Sequence, residues 1–516
     1  MIQLLPLAVF LVTSAVVFAA INALRSSRHR ARISQQLGCQ AAPMHHHNLP
    51  LGADTVVRLI QAGNQHKIPQ EVVKLYEETG HPTYMQRLLG STIIVTHDPK
   101  NIQAMLATQF HDFELGACRR NIFSPMLGIG IFTADGKTWE HARAALRPQF
   151  TRDQVADLDL EEKHVQILFK HLPVDALGWT VPTDLAPIFF RLTIDSATEF
   201  LFGDSINSQH AALAQNESLP LAFNHTNVAE SFDHGISCLG IRTRLSTLYW
   251  LYNPSSFREA IRVVHDFADY CIERAATTNP SSEEKESRYI FLKELLKTTD
   301  NKVEVRTQLL HILLAGRDTT AGLLGWTFWE LARHPEVVHK LRAAVLDTFG
   351  PYTSDNKDIT FARLKSCTYL QHVLNETLRL YPSVPLNGRQ ATKDTTLPRG
   401  GGPDGLSPVF VRRGQEVSYS VYVLHRRRDI WGPDADQFIP ERWSARRYGW
   451  EYIPFNGGPR VCLGQQFALT EAGYVICRVV QRFDGIANCN ESDEELHNYS
   501  LTTSPMSVRV RLHQAA

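Results

Sequence analysis

The sequence predicts a mostly α fold with a minor β region, and three stretches carry that expectation. Gln308 to Arg333 (QLLHILLAGRDTTAGLLGWTFWELAR) reads as one long helix, apolar almost all round and therefore buried. Cys367 to Tyr381 sets Leu370, Val373, Leu374, Thr377, Leu378 and Tyr381 at helical spacing and is closed by Pro382 and Pro385. From Thr395 to Tyr422, glycine-rich turns alternate with short β-prone runs (PVFV, EVSYSVYV), which predicts a small sheet. Glu471 to Phe483 reads as a further helix, and Met506 to Leu512 alternates like a strand. Charge-rich Asn279 to Arg288 reads as an exposed loop between helices.

The first strong signal along the chain is an uncharged apolar run, Ile2 to Leu24, followed by Arg25, Arg28, His29, Arg30 and Arg32. About 20 apolar residues span a bilayer core. Basic residues on the C-terminal flank favour keeping that flank in the cytosol. A cleaved signal peptide would carry its basic charge before a shorter apolar run. The expected organisation is a transmembrane anchor at 2–24, a basic flank and hinge at 25–53, and one large domain at 54–516 facing the cytosol. His45, His46 and His47 offer metal-ligand chemistry, but a solvated linker is the expected reading.

A chain of 516 residues, 43% apolar and 21% charged, supplies a large core. Lys+Arg and Asp+Glu are 53 each, so no global basic field invites nucleic acid. Eight cysteines stand singly, without CxxC or paired spacing, which argues against a zinc site or a disulfide framework. Reduced thiols fit a cytosolic face.

Several patterns carry chemistry. Cys462 sits in FNGGPRVCLGQQ, where Gly457, Gly458 and Pro459 predict a tight turn and Gly464 leaves room for another backbone. A helix starting just beyond would stabilise a thiolate through its free N–H groups. Asp318, Thr319 and Thr320, with Gly316, stand at the middle of the long buried helix, where polar groups need partners or a function. Glu376 and Arg379 share a helix face in NETLRLYP, and FIPERW supplies Arg442 further on. Trp139 and Arg143 lie one turn apart in GKTWEHARAALRPQF.

The pattern F-x-x-G-x-R-x-C-x-G over Phe455, Gly458, Arg460, Cys462 and Gly464 resembles the haem-binding signature of the cytochrome P450 family. The resemblance covers essentially the whole chain after the anchor. It implies haem b as cofactor, with Cys462 as the axial thiolate, Phe455 packed near the sulfur and Arg460 paired with a propionate. It implies that Trp139 and Arg143 contact a propionate, with Arg389 in SVPLNGR as another such contact. Glu376, Arg379 and Arg442 are implied to form a buried structural network. AGRDTT is similar to the oxygen-activation segment, in which Gly316 leaves room, Thr319 hydrogen-bonds and Asp318 relays protons. Ala315 stands where some relatives carry a glutamate that esterifies haem, so covalent haem is not implied.

AGRDTTAGLL, LPRGGGPDGLSPV with Asp404, and FNGGPRVCLGQQFALTEAGYV look like the fungal microsomal alkane and fatty-acid hydroxylases. That likeness implies oxidation at or near the end of a long aliphatic chain, with electrons from NADPH through a cytochrome P450 reductase. It also implies an endoplasmic reticulum location, a bilayer contact and a hydrophobic small-molecule substrate. No flavin or nicotinamide fingerprint is present, which fits a separate reductase. Candidate substrate-lining positions are Phe123 to Ile131, Leu310 to Leu314, Val384, Leu386 and Leu501 to Thr503. Asn207 to Asp233, where the family builds its channel lid, is unusually polar. This keeps open a tailoring enzyme that oxidises alkyl arms of fungal polyketides or peptides. A reading from another class is a non-catalytic haem-binding sensor, which predicts loss of the Asp318–Thr319 pair; the pair is intact. The sequons at Asn216 and Asn224 are discounted for a cytosolic domain.

Overall fold

The computed structural model describes residues 4–150, 158–213, 226–277, 291–353, 358–445 and 447–516. The expected loop at 279–288 lies outside them. So do 214–225 of the polar lid segment, with both sequons.

Helix α1 (Leu4–Gln36) carries residues 4–24 of the apolar run and continues through the arginines of the basic flank. Arg, Ala, Gln and Ser do not stop a helix that an apolar run has nucleated. Among the described residues, no helix is long and apolar enough to cross a membrane. The side chains at 4–12, 16, 19 and 23 lie outside the described residues, and Val17, Phe18 and Leu24 are exposed.

The segment after α1 is not a solvated linker. Gln40 N–H donates to Pro408, Met85 N–H to Pro43 and His45 N–H to Met85, so the chain pairs with the sheet edge. His45 is buried against Glu78, and His47 contacts Asp54 and accepts the Arg87 N–H. These histidines serve as hydrogen-bonding spacers. No cluster able to hold a metal is found among the described residues.

Helices α2 (Ala53–Asn64) and α3 (Ile68–Thr79) lead into the hairpin β1 (Thr83–Leu88) and β2 (Ser91–Thr96). Then come α4 (Pro99–Gln103), β3 (Phe113–Glu114), α5 (Ala117–Leu127), α6 (Gly136–Leu146), α7 (Leu158–Lys170), β4 (Thr183–Asp184) and α8 (Leu185–Phe202). Short α9 (Ser208–Leu213) precedes α10 (Thr226–Leu245) and α11 (Ser255–Thr277), which pack together as an antiparallel pair. After α12 (Phe291–Leu296) comes the organising element, α13 (Lys302–Leu331).

Helix α13 starts earlier than the apolar pattern suggests. Asn301 caps it by accepting the N–H groups of Val303 and Glu304. It runs between two buried clusters. Leu309, Leu310 and Leu313 join the one built from α5, α8, α10 and α11. Leu324, Trp326 and Phe328 join the other, with α7, α8 and the C-terminal helices. The N-terminal half of α13 is thus buried in one cluster and its C-terminal half in the other, as the sequence implied for a buried helix.

Helices α14 (Pro335–Phe349), α15 (Phe361–Ser366) and α16 (Thr368–Leu380) follow. The β-prone region does not form one sheet. Strands β6 (Thr395–Gly401) and β7 (Ser407–Val411) make a separate hairpin after β5 (Leu386–Ala391). Strand β8 (Glu416–Ser420) joins a five-stranded sheet of order β1-β2-β8-β5-β3, parallel to β2 and antiparallel to β5. Short α17 (Val421–Leu424) and α18 (Arg428–Trp431) lead to α19 (Gln465–Arg482), which begins earlier than residue 471. Strand β12 (Arg509–Gln514) pairs with β4 on one side and β9 (Phe483–Asn488) on the other, and β10 (His497–Tyr499) pairs with β11 (Thr503–Pro505).

Behind the cysteine loop lies a fully buried charge network on α16. Arg379 grips Glu376 bidentately, Nε to Oε2 at 2.9 Å and Nη2 to Oε1 at 2.8 Å. Its remaining donors reach the carbonyls of His425, Ala435 and Gln437. Glu376 also accepts from Ile439 N–H, Trp443 Nε1 and Arg442 Nε. Neither charge has solvent exposure, so each depends on this full set of partners.

Candidate active site

The loop before α19 is shaped by one close approach. Gly458 has φ +65°, and a Cβ there would lie 1.9 Å from the Leu106 carbonyl oxygen. Only glycine fits both the backbone conformation and the contact. A short 3-10 turn, Gly458–Arg460, then carries Cys462 to the helix start. Cys462 N–H donates to the Phe455 carbonyl at 3.0 Å.

Gly464 is the N-cap of α19 and its N–H bonds the Cys462 sulfur. The close backbone approach expected at Gly464 is not found there. Its φ is −87°, and an added Cβ would only touch Phe150 at 3.6 Å. The tight approach belongs to Gly458. Phe455 contributes its carbonyl, while its ring packs against the core beneath the loop.

The Cys462 sulfur is accessible although protein surrounds it. Its exposed side opens on a cavity of about 800 Å³ lined by Trp139, Arg143, Arg147, Phe150 and Leu463. Burial pushes the thiol up, while the Gly464 N–H and the Arg143 charge pull it down. Burial outweighs the other two, so the sulfur rests as a thiol, and a cation in front of it would be needed to favour the thiolate.

Around the cavity the guanidinium groups outnumber their carboxylate. Arg460 donates to the Ala134 carbonyl at 3.0 Å and to Asp135 at 2.8 Å, with its Cζ 4.4 Å over the Trp139 ring. Burial, then the charges of Arg389, Arg119 and Arg143, push it down to about 9, opposed by Asp135. Arg119 and Arg389 both donate to Asn387 Oδ1, at 2.9 and 3.1 Å. Burial and the charge of Arg389 push Arg119 down to about 10. A buried cluster of this sign stores repulsion that added anions would relieve.

On α13, Thr319 donates its hydroxyl proton to the Ala315 carbonyl at 2.6 Å, and its own carbonyl accepts from Ser383. An added Cβ at Gly316 would meet nothing within 4 Å, so the helix faces open space there. Asp318 is buried against Arg317, Oδ1 to Nη1 at 3.2 Å. Burial pushes its carboxyl up to about 6, against the pull of Arg317.

Trp139, Arg143 and Cys462 thus meet at one cavity, with Arg460 and Arg389 beside it. Sequence reasoning missed Arg119, Asp135 and Arg147. Arg147 falls one turn beyond Arg143 on a continuous helical run, a spacing that could have found it. Arg119 and Asp135 carry no local signal, because Arg119 is brought in by Asn387 of β5 and Asp135 by Arg460 of the cysteine loop.

These residues fit a haem. A soft sulfur donor opens onto a space of ligand size. Spare guanidinium charge is available for two carboxylates, and the opposite helix leaves a gap at Gly316. The comparisons agree. Residues 49–510 match the cytochrome P450 family. The chain is 49% identical to cytochrome P450 monooxygenase g430 of a Fusarium species, over 96% of this chain and 88% of that protein. It is 46% identical to cytochrome P450 monooxygenase alt2 of Alternaria solani, over 93% and 92%. It is 51% identical to cytochrome P450 52A10 of Candida maltosa, over 79% and 80%. With a cavity-facing cysteine, a ring of spare cations and a match over nearly its whole length, the chain belongs to the cytochrome P450 family and is a haem-dependent monooxygenase.

Proposed function

We propose that the enzyme inserts one oxygen atom from O2 into an aliphatic C–H bond of a long-chain alkane or fatty acid. The observation that carries this reading is the apolar wall that α5 and the N-terminal half of α13 build ahead of the open space at Gly316, with Ile122, Phe123, Met126, Leu127, Leu310 and Leu313 all buried in it. Such a wall suits a substrate with little to hydrogen-bond. The 52A-type relatives of Candida maltosa and the fungal hydroxylase motifs support the same reading.

When bound, haem supplies the redox chemistry that activates dioxygen, with electron density pushed onto iron by a cysteine thiolate. Cys462 is the thiolate, held by the Gly464 N–H and the Phe455 carbonyl on either side of its residue. Arg143, Arg389 and Arg460 would hold the propionates by charge-assisted pairing, with Trp139 beside them as a neutral donor. Asp318 carries a proton at its carboxyl oxygen, and a value near 6 keeps both of its forms within reach at neutral pH. Thr319 accepts a hydrogen bond at its hydroxyl oxygen while its own proton is engaged by the Ala315 carbonyl, so it orients the donor without taking the proton.

Residues 2–24 form the bilayer anchor of an endoplasmic reticulum enzyme, 25–53 the connecting segment and 54–516 the cytosolic catalytic domain. The uncharged run and the exposed Val17, Phe18 and Leu24 of α1 support this. NADPH–cytochrome P450 reductase supplies the electrons.

A second reading is oxidation of an alkyl group on a fungal polyketide or peptide. The polar character of early α10, with exposed Asn227, Glu230 and Asp233, favours it. Reconstituted turnover with NADPH and reductase on dodecanoic acid and hexadecane separates the two. Chain-end products by mass spectrometry support the first. No product from enzyme with an intact carbon-monoxide Soret shift supports the second.

A further inference from the structure

Arg317 stands next to Asp318 on α13, in a position the reaction chemistry does not itself require. Its side chain is buried and held between two rings, with Cζ 5.1 Å from the Phe190 centroid on α8 and 5.8 Å from Phe232 on α10. Its Nη1 serves two carboxylates at once: Asp318 on its own helix and Asp233 on α10. Asp233 is half-exposed, whereas Asp318 is buried. The result is a three-member chain from the outer surface of α10 to the buried acid. Asp233, on the outer helix, is the member whose place depends on how α10 docks.

The charges acting on Asp318 are those of Arg317, which lowers it, and Asp233, which raises it. From α8 the guanidinium meets the ring of Phe190, and the Glu471 carboxyl of α19 is turned to Ser196 at 2.6 Å instead. The sign follows. With α10 docked, Asp233 shares the cation and adds a negative charge, so Asp318 holds its proton more readily. With α10 displaced, Arg317 serves Asp318 alone and favours the ionised form. Helix α10 also packs on α5, with Gly235 against Met126, so it covers the apolar cluster of α5 and α13.

We propose that Asp233 and Arg317 are positioning residues that couple docking of α10 over the substrate space to the protonation of Asp318. Closure of the site thereby arms its proton source, and an open site leaves the acid ionised. This rests on the reading of Asp318 as the proton donor.

The test is infrared titration of the protonated carboxyl band of Asp318 in the full-length, reduced, carbon-monoxide-bound holoenzyme, the band being assigned by D318N. Asp233→Asn lowers the band's midpoint by about one pH unit, and Asp233→Glu restores it. Arg317→Gln moves it the opposite way. Peroxide formed per product at pH 7.5 rises several-fold in Asp233→Asn alongside the downward shift. Packing effects alone would shift both variants in stability without opposite movements of the band. A midpoint unchanged in Asp233→Asn, or one moved in the same direction by both variants, overturns the coupling while leaving Asp318 as donor. A D318N enzyme with normal coupling and no missing band overturns both.

Discussion

The guanidinium of Arg460 lies 4.4 Å over the indole of Trp139, so the loop that presents the cysteine and the helix that faces it share one cation. Cation–π contact fixes the plane of the guanidinium, and Asp135 takes only part of its donor capacity. Replacing Arg460 with Leu is expected to cut haem retention several-fold, and Trp139→Phe to cut it less, because the phenyl ring still stacks. The haem-to-protein ratio after gel filtration checks this. Full retention in Arg460→Leu would show that this cation does not anchor the cofactor.

The Glu376–Arg379 pair predicts a stability effect of a different size. Both groups are fully buried, so removing one leaves the other charged and without its partner. Arg379→Leu or Glu376→Ala is expected to cost about 3–5 kcal/mol. Arg379→Lys should recover little, since one ammonium cannot reproduce the fork and the three carbonyl contacts. Denaturant unfolding of the holoprotein measures each.

Gly458→Ala is the smallest change with a large expected consequence. Its Cβ would fall 1.9 Å from the Leu106 carbonyl at a φ of +65°. The loop must move, and the sulfur with it. We expect loss of the carbon-monoxide Soret shift characteristic of thiolate ligation in most of the purified protein. Gly464→Ala, which meets only an ordinary contact with Phe150, should keep it.

His425 predicts acid sensitivity. Its Nδ1 donates to the Arg379 carbonyl at 3.1 Å, and its Nε2 accepts the Ile453 N–H at 3.0 Å. That arrangement needs the neutral ring. Burial and the charge of Arg379 push it down to about 3. The folded value lies below the unfolded one, so the unfolded chain binds the extra proton. Stability is complete above pH 6.5 and falls by up to about 1.4 kcal/mol per unit from 6.5 toward 3. Thermal unfolding between pH 7.5 and 5 checks the slope, which His425→Gln should flatten by that amount.

The legible parts of this chain were those fixed by local pattern. The buried helix around Asp318, the α16 pair and the Cys462 loop all show in spacing and composition. What stayed hidden depends on contacts far apart in sequence. Arg119 became part of the site because Asn387 on β5 draws it beside Arg389. β8 left its sequence neighbours for β2, since strand pairing obeys the packing of both faces rather than order along the chain. His45 and His47 read as solvent-exposed because nothing nearby foretold Glu78 and Asp54 as partners.

The parallel union of β2 with β8 has a consequence for how the molecule is made. Ile94 faces Val417 across that pair. A ribosome adding about 5–20 residues each second must therefore work for tens of seconds before the central strand of the first sheet exists. Throughout that interval the β1–β2 hairpin presents an open edge. If α1 is already seated in a bilayer, the waiting edge is held at the membrane surface and kept apart from copies on other ribosomes. Long-range closure is slow, and tethering limits what the edge can meet while it waits.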